Sequence, residues 1–247
     1  MMLNLPEHLW ALSPQRWAVV AAVTLIFAIV ARVLRGVNRS GALAGGLACF
    51  VLFAAAGPGA FAALGAVFLM TWISTRLGYR TKQQRGIAER GEGRNGWQIS
   101  ANLGVAALSA VAFGVTGNGA WLTAVASALA EAATDTVASE IGQMRSQTAL
   151  LITTWEVVPA GTDGGITLAG TLCGVVAGTT VAAIAALSGI VLRAQFWIPG
   201  AAGIFGMLVD SLLGAALQRR GWMNNEAVNF CGTLTAAALA YAIAMQG

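Results

Sequence analysis

Three acidic residues lie within or at the end of an apolar stretch that begins at Trp121. Glu131, Asp135 and Ser139 are spaced four residues apart, so they share one face if the stretch is a helix, and Glu140 lies beside that face. Carboxylates within an apolar segment of membrane length are costly and normally mark a functional site. This face is therefore the first place in the chain where chemistry is expected.

Polar residues with helical spacing recur in other apolar segments. They are Asn95, Gln98 and Asn102 in one, Asp210 and Ser211 in a second, and Asn225 and Asn229 in a third. Carboxylates and amides without histidine or cysteine suit a hard cation, above all Mg²⁺, which commonly bridges one or two carboxylates to substrate phosphates. We expect Asp135, Glu140 and Asp210 to bind Mg²⁺, with Glu131 as a deeper ligand or a group behind the ligands. Helix capping, hydrogen bonds between helices and, for the acids of the Trp121 segment, a pair with a buried arginine are the structural alternatives for these polar groups.

A glycine-rich turn and a basic segment are candidates for phosphate binding. The turn consists of Gly161, Thr162, Asp163, Gly164 and Gly165 and precedes another apolar run. Backbone N–H groups in such a turn can form an anion-binding nest, helped by the dipole of a following helix. In the basic segment 78–96, Lys82, Arg85, Arg90 and Arg94 could neutralise phosphate, and Arg94 is favoured because it lies within one turn of Asn95 and Gln98. Setting membrane topology is the alternative role for these cations.

The composition indicates a protein that is solvated by lipid. Hydrophobic residues make up 57% of the 247-residue chain and charged residues 10%, whereas a soluble domain carries about 25% charged residues. We expect one all-α polytopic membrane domain over residues 1–247, with about eight transmembrane helices, or seven if the second is re-entrant. The expected spans are 17–34, 41–57, 60–77, 97–115, 121–141, 166–192, 196–217 and 226–245. A cleaved signal peptide is not expected, because no small-residue cleavage site follows a short apolar core.

The distribution of cations predicts an orientation. If the segment 78–96 is cytoplasmic and eight spans alternate, only Arg16 and Arg193 of the 14 lysines and arginines fall outside. This positive-inside bias places both termini outside and the polar half of the protein at the cytoplasmic face, in what we expect to be a bacterial inner membrane. The net charge of +4 is then explained by topology and not by nucleic acid. His8 is the only histidine, which excludes Ser-His triads and histidine metal sites.

Several ordered motifs resemble those of one known family. They are G-R-N-G-W-Q-I-S-A-N (93–102), A-T-D-T-V-A-S-E-I-G (133–142), L-I-T-T with V-V-P-A-G-T-D-G-G-I-T (151–167), V-D-S-L-L-G-A-A-L-Q (209–218) and N-N-E-A-V-N-F (224–230). Over about 41–245 the chain is similar to the integral-membrane family of the plant phytyl-phosphate kinase and the vertebrate transmembrane protein 19. Thr134 stands where that family often has Ala. Asp163 stands where Asn is common, so we expect Asp163 to shape the phosphate-binding turn.

The resemblance implies a prenyl-phosphate kinase. CTP or ATP would donate its γ-phosphate to an isoprenoid monophosphate, such as phytyl, farnesyl or geranylgeranyl phosphate, and the diphosphate would form. The amides together with Ser139 and Ser211 would then orient the nucleotide and the acceptor. A phosphate acceptor needs no general base, whereas an alcohol acceptor would need one, for which Asp135 is the candidate.

Other functions remain open from the sequence. Distant relatedness of the family to polyprenol kinases and CDP-diacylglycerol synthases keeps a polyprenol kinase or a CTP-dependent cytidylyltransferase as alternatives. A transporter with an intramembrane acidic site is an alternative of a different class, although acids gathered near one face favour the enzyme. The partners expected are the lipid bilayer, the nucleotide and the isoprenoid phosphate, and the sequence leaves a homo-oligomer open.

Overall fold

Long apolar segments form helices here because backbone groups that face lipid must be satisfied within their own segment. The computed structural model describes residues 13–246, so the expectations for His8 and for the N-terminal cleavage site lie outside the described residues. The helices are α1 (Pro14–Val33), α2 (Arg39–Arg76), α3 (Tyr79–Gln84), α4 (Gly96–Thr116), α5 (Ala120–Arg145), α6 (Leu168–Leu187), α7 (Trp197–Ala216) and α8 (Asn225–Ala244).

The predicted class, an all-α polytopic membrane protein, is confirmed. Six helices in the described part of the chain are long and apolar enough to cross a membrane, namely α1, α2, α4, α6, α7 and α8. Helix α5 is not among them, because its acids lower its hydropathy. It instead packs against α2, α4, α6, α7 and α8, so that protein and not lipid surrounds most of it. How many segments cross the bilayer, and in which direction, stays a prediction.

Helix α2 is a helical hairpin. Gly57 has φ 80° and ψ −172°, a backbone conformation outside the helical region, and Pro58 follows at the start of the second half. The two ends of this 38-residue element meet at Arg94, whose carbonyl accepts a hydrogen bond from the N–H of Asn38 (2.9 Å) and whose side chain lies 3.5 Å from Thr75 Oγ1. Each half therefore runs the length of the bundle, as the separate spans 41–57 and 60–77 predicted.

Polar caps fix one end of the bundle. The side chains of Asn38, Asn95, Thr167 and Asn224 each accept a backbone N–H from the first turn of α2, α4, α6 and α8. Helices α1, α5 and α7 run in the opposite direction, and so does the second half of α2. All four of these segments end at the same capped end, where the polar residues collect.

Close packing of small residues places α5 at the centre. A Cβ added to Gly174 of α6 would lie 2.6 Å from the carbonyl oxygen of Thr134 in α5, and one added to Gly203 of α7 would lie 2.9 Å from the backbone nitrogen of Glu131. Such glycines let helix backbones approach closely, which is the usual means of packing helices in lipid. Helix α5 is thereby held in a fixed register against α6 and α7.

The segment between α5 and α6 is a small antiparallel sheet, whereas the sequence suggested only a polar connector. Strands β1 (Thr148–Leu151), β2 (Val157–Pro159) and β3 (Gly165–Ile166) pair in the order β2-β1-β3. Each strand has at most 4 residues, too few for the alternation of apolar and polar positions to stand out. The sheet fixes the glycine-rich turn between β2 and β3 above the ends of α5 and α7.

Candidate functional site

A cavity of about 430 Å³ opens at the capped end of the bundle. Its walls come from the starts of α4 and α8, the ends of α5 and α7, and the loops around residues 87–94 and 160–165. The predicted site residues that line it are Arg94, Gln98, Asn102, Asp135, Ser139, Glu140, Gly161, Thr162, Asp163, Gly164, Gly165, Asp210, Ser211, Asn225 and Asn229. The structure does not bring Lys82, Asn95 or Glu131 to the cavity wall.

A chain of amides connects α4, α8 and α7 across the cavity. The Asn102 side-chain nitrogen donates to the Gln98 carbonyl oxygen (2.8 Å) and lies 3.3 Å from the Asn229 side-chain oxygen. With the Asn229 amide assigned from this network, its nitrogen donates to Asp210 Oδ2 (3.1 Å) and to the Asn225 carbonyl oxygen (3.2 Å). These hydrogen-bonded amides fix one carboxylate oxygen of Asp210 and leave its other oxygen free to bind a ligand.

Asp135 and Asp210 bring two negative charges to the same cavity from α5 and α7. Asp135 lies close enough to Asp210 to act on it electrostatically, and Arg94 acts on Asp135 as an opposing charge. The Asp135 carboxylate accepts no hydrogen bond from the described residues. Two carboxylates with free oxygens and no fixed counter-ion are suited to a cation.

Glu131 lies deeper, where α5, α7 and α8 cross. It is 1% exposed, and neither of its carboxylate oxygens has a hydrogen-bond partner among the described residues. Glycines make room for it, since a Cβ on Gly206 would lie 2.7 Å from its Cγ and a Cβ on Gly232 would meet its Oε1. An isolated buried carboxylate is very costly, so this group carries either a proton or a cation.

Arg94 is held at the edge of the cavity by its backbone and its side chain. Its N–H donates to the carbonyl oxygen of Gly36 (3.1 Å), which ties the residue to the turn after α1. Its guanidinium lies 3.6 Å from Glu89 Oε2 and 3.7 Å from Glu140 Oε1 and donates to Thr75 Oγ1 (3.5 Å). A cation with partners on three sides has little freedom to move, which is what binding phosphate in a defined position requires.

Glu140 is an ion-pair partner on both of its oxygens. Oε1 accepts a hydrogen bond from Thr75 (2.9 Å) and faces Arg94, while Oε2 accepts a hydrogen bond from Lys82 Nζ. These partners occupy the oxygens that the sequence assigned to Mg²⁺. We therefore reassign Glu140 from metal ligand to positioning residue for Arg94.

Lys82 lies away from the cavity wall, so its position does not support the predicted contact with phosphate. Its side chain is 0% exposed and donates to the carbonyl oxygens of Ser74 (3.1 Å) and Thr75 (3.0 Å) as well as to Glu140. Because α3 folds back beneath the end of α2, the lysine is directed inward. Its charge compensates Glu140 and does not reach the cavity.

Asn95 is also reassigned, from substrate contact to helix cap. Its side-chain oxygen accepts the N–H groups of Trp97 (2.9 Å) and Gln98 (3.0 Å), and Gln98 Oε1 accepts the N–H of Asn95 (2.9 Å) in return. This reciprocal capping box begins α4. Gln98 still lines the cavity, where its Nε2 donates to Glu89 Oε2 (3.2 Å).

The glycine-rich turn packs directly on α7 beside Asp210. Gly164 has φ 74°, and a Cβ there would lie 2.6 Å from the carbonyl oxygen of Ser211, so no other residue fits this approach. The N–H groups of Gly161 and Asp163 have no hydrogen-bond partner within residues 13–246 and remain available to an anion. The short strand β3 separates the turn from α6, so the dipole of α6 acts from farther away than the sequence suggested.

Asp163 lies at the cavity rim, outside the helices. Partial burial raises the pKa of its carboxyl group above the usual range, and the nearby charge of Arg219 partly offsets that rise. Asp163 thus lies in the glycine-rich turn at the cavity, and its role in shaping that turn stays a prediction.

The family model described as "Integral membrane protein DUF92" matches residues 22–237. The chain belongs to this family. An uncharacterized membrane protein of Synechocystis, sll0875, is 32% identical over 78% of this chain and 77% of its own length. The chloroplastic protein VTE6 of Arabidopsis thaliana is 29% identical over 88% of this chain and 68% of its own length. The uncharacterized membrane protein MJ0933 of Methanocaldococcus jannaschii is 32% identical over 86% of this chain and 87% of its own length. No solved structure matches the chain.

The match confirms the family resemblance drawn from the motifs. It also supports an integral membrane protein, as the composition predicted. Much of the cavity wall falls within the motifs that carried the resemblance, including Asp135, Asp210 and Asn229. The site of this DUF92 protein is therefore built from the segments by which the family was recognised.

The donor set of this DUF92 protein fits a cation that is only partly enclosed by protein. Among the described residues, no three histidine, cysteine, aspartate or glutamate side chains converge closely enough to hold a metal by themselves. Asp135 and Asp210 nevertheless leave oxygens free in one cavity, and the two oxygens of Glu131 have no partner behind them. Mg²⁺ commonly binds one or two carboxylates and completes its coordination with water and phosphate oxygens, so two carboxylates suffice.

Sequence reasoning missed Glu89, which connects Arg94 to Gln98. Glu89 Oε2 lies 3.6 Å from Arg94 Nε and accepts a hydrogen bond from Gln98 Nε2. A sequence signal was available, since Glu89 lies among several arginines and could have been assigned as their counter-charge. The cavity residues Thr136, Thr167 and Thr171 were also missed, because threonine within an apolar helix or at its start carries no distinctive pattern.

Proposed function

We propose that this chain is a Mg²⁺-dependent prenyl-phosphate kinase that uses CTP or ATP. The observation that carries the proposal is the cavity at the capped end, in which two free carboxylates, an amide chain, a glycine turn and Arg94 meet among membrane helices. The similarity to VTE6 supports a prenyl-phosphate kinase-like function for the family. The proposed phosphate donor is CTP or ATP, and the proposed acceptor is an isoprenoid monophosphate.

The nucleotide phosphates would bind between Asp135, Asp210 and the glycine turn. Mg²⁺, when bound by the two aspartates, would neutralise the phosphate oxygens and favour departure of the nucleoside diphosphate. The hydrogen bond from Asn229 holds Asp210 in place for this role. The free N–H groups in the turn would bind the phosphate from the opposite side.

Phosphoryl transfer would then depend on positioning and charge neutralisation. An oxygen of the acceptor monophosphate attacks the γ-phosphorus, a new P–O bond forms, and the bond to the β–γ bridging oxygen breaks to release the nucleoside diphosphate. No proton has to be removed from a phosphate acceptor, which agrees with the lack of histidine among the described residues that line the cavity. Arg94, held by Glu89 and Glu140, would lie between the two anions and reduce their repulsion.

One assay separates this function from its alternatives. The purified protein in lipid nanodiscs is incubated with Mg²⁺, α- or γ-labelled CTP or ATP, and a panel of prenyl alcohols and monophosphates. The proposal predicts transfer of the γ-label to a monophosphate with release of nucleoside diphosphate. Transfer of the α-label with release of pyrophosphate would instead indicate a cytidylyltransferase, and γ-label on an alcohol a polyprenol kinase. Nucleotide-independent uptake into proteoliposomes without label transfer would indicate a carrier.

Substitutions test the assignment of the aspartates. Asp135→Asn and Asp210→Asn keep the size of the side chain but remove the charge, and each is expected to lower kcat by about 10²–10³-fold. Glu156→Gln is the matched control, because this exposed carboxylate lies in the β1–β2 connection and does not line the cavity. Full turnover by Asp135→Asn would remove Asp135 from the mechanism.

A further inference from the structure

Arg94 lines two further hollows besides the cavity described above. One is an apolar groove of about 60 Å³ between α1, α2 and α4, and the other is a pocket of about 200 Å³ at the ends of α1 and α2. Asn102 and Thr136 line both the groove and the main cavity, while Glu89 and Arg90 line both the pocket and the main cavity. The three spaces are therefore adjacent, and all three have Arg94 in their walls.

The second pocket is strongly cationic. Arg35, Arg76, Arg90 and Arg94 line it, with Glu89 as the one acidic residue on its wall. Arg76 is fixed by donating to the carbonyl oxygen of Leu34 (2.8 Å), whereas the Arg90 side chain is exposed and makes no ion pair in the described part of the chain. Arg35 has φ 52°, a conformation that is uncommon for a residue other than glycine. Four arginines around one small space are suited to a phosphate group.

The groove that adjoins this pocket is lined by apolar side chains and by glycines of the first half of α2. Gly45 and Gly46 face it together with Phe27 and Phe68. Because a water-sized group needs about 10–15 Å³ of such space, the groove has room for about four or five of them. That is the size of one isoprene unit, so the remainder of a longer chain would lie along the lipid-facing surface.

We propose that these two spaces are the acceptor site, with the acceptor phosphate in the arginine pocket and the first isoprene unit in the Gly45 groove. The inference rests on the proposed kinase function and deepens it by separating the acceptor from the nucleotide, which occupies the carboxylate cavity. The two phosphates meet at Arg94. An uncharged alcohol would not need four cations around it, whereas a phosphate anion would, so the acceptor class is a prenyl monophosphate.

The test measures acceptor and nucleotide separately. Gly45→Leu fills the groove. A Cβ at this position would lie 3.7 Å from Ile99, an ordinary van der Waals distance, so the rest of the leucine side chain can extend into the groove. Arg90→Gln removes one cation from the pocket. Each is expected to raise the KM for geranylgeranyl monophosphate about tenfold or more, through loss of one charged contact or of the groove volume. Gly45→Leu, which lies outside the carboxylate cavity, should change the KM for nucleotide less than about twofold. Gly65→Leu in the second half of α2 is the control, because nothing lies within 4 Å of a Cβ at that position.

Binding of radiolabelled geranylgeranyl monophosphate in phosphatidylcholine nanodiscs, without nucleotide, is measured in parallel. Saturable binding that Gly45→Leu and Arg90→Gln weaken and Gly65→Leu does not supports the site, whether or not the protein turns the probe over. If wild type turns over and both variants keep its acceptor KM and its binding, the acceptor site is refuted and the kinase function stands. If wild type binds but transfers no phosphate, the kinase function fails while the binding data still decide the site. Absence of saturable binding, as expected if bulk lipid fills the groove, refutes the site.

Discussion

Replacing Lys82 with methionine tests the buried ion pair that supports the site. The methionine side chain would fill most of the space but would leave Glu140, whose side chain is 9% exposed, without its main counter-charge. Loss of one partner from a buried pair costs about 3–5 kcal/mol. Thr75 (2.9 Å) and Arg94 (3.7 Å) still contact Glu140, so we expect the low end, a loss of about 3 kcal/mol of unfolding free energy.

The double variant Lys82→Met/Glu140→Gln distinguishes charge compensation from packing. Removing both charges leaves no unpaired ion, so stability should return to within about 1 kcal/mol of wild type. Arg85→Met is the matched control on the same short segment. The guanidinium of Arg85 donates to the exposed carbonyl oxygens of Gln143 (3.0 Å) and Ser146 (2.9 Å), and its loss should cost about 1 kcal/mol.

The assay is reversible unfolding in mixed micelles, followed by the fluorescence of the protein's 8 tryptophans. Unfolding free energies of the four proteins are compared under one detergent composition. The reasoning is refuted if Lys82→Met is as stable as wild type, or if the double variant is as unstable as the single one. In the second case the lysine would act through its volume and its bonds to Ser74 and Thr75, not through Glu140.

Three further predictions concern the residues around the cavity. Gly232→Ala places a methyl group against the buried carboxylate of α5 and should destabilise the protein by about 1–3 kcal/mol in the same unfolding assay, whereas Gly104→Ala, with nothing within 4 Å, should not. Asp163→Asn should become more stable relative to wild type as the pH rises from about 4 to neutral. The reason is that an acid whose pKa is raised on folding stabilises the fold below its unfolded pKa and loses that contribution above its folded pKa. Parallel profiles of unfolding free energy against pH for the two proteins would contradict this. Asn229→Ala breaks the amide chain and should lower kcat/KM about 10²-fold, while Asn118→Ala, at the opposite end of the bundle, should keep full turnover.

Helical spacing singled out many of the residues that line the cavity, because it depends only on the geometry of one helix. Asn102, Asp135 and Asn229 were each placed on a polar face, and a polar face in an apolar helix has to point toward other polar faces. The hairpin of α2 was also predictable, since Gly57 and Pro58 interrupt an apolar run that is too long for one span.

Other features depend on tertiary contacts that no local pattern reports. The inward direction of Lys82 comes from the way α3 packs beneath α2, and a basic segment looks the same whether its cations face water or a buried carboxylate. Asn95 has the residue type of both a ligand and a helix cap, and only the geometry of its neighbours distinguishes the two. The isolation of Glu131 depends on glycines from two helices distant in sequence, Gly206 and Gly232.

The charges around the site divide into a balanced group and an unbalanced one. Lys82 and Arg94 are matched by Glu140 and Glu89, so the ion-pair network by itself is neutral. The carboxylates of α5 and α7 that remain are Glu131, Asp135 and Asp210, and Arg94, the cation that acts on Asp135, is already shared between two glutamates. Three formal negative charges in a confined space have to be offset by protons or by a bound cation. One divalent ion and one proton would neutralise them, which leaves the exposed Arg90, without an ion pair among the described residues, to attract the phosphates. A site arranged in this way would bind nucleotide together with its metal ion more readily than the nucleotide alone.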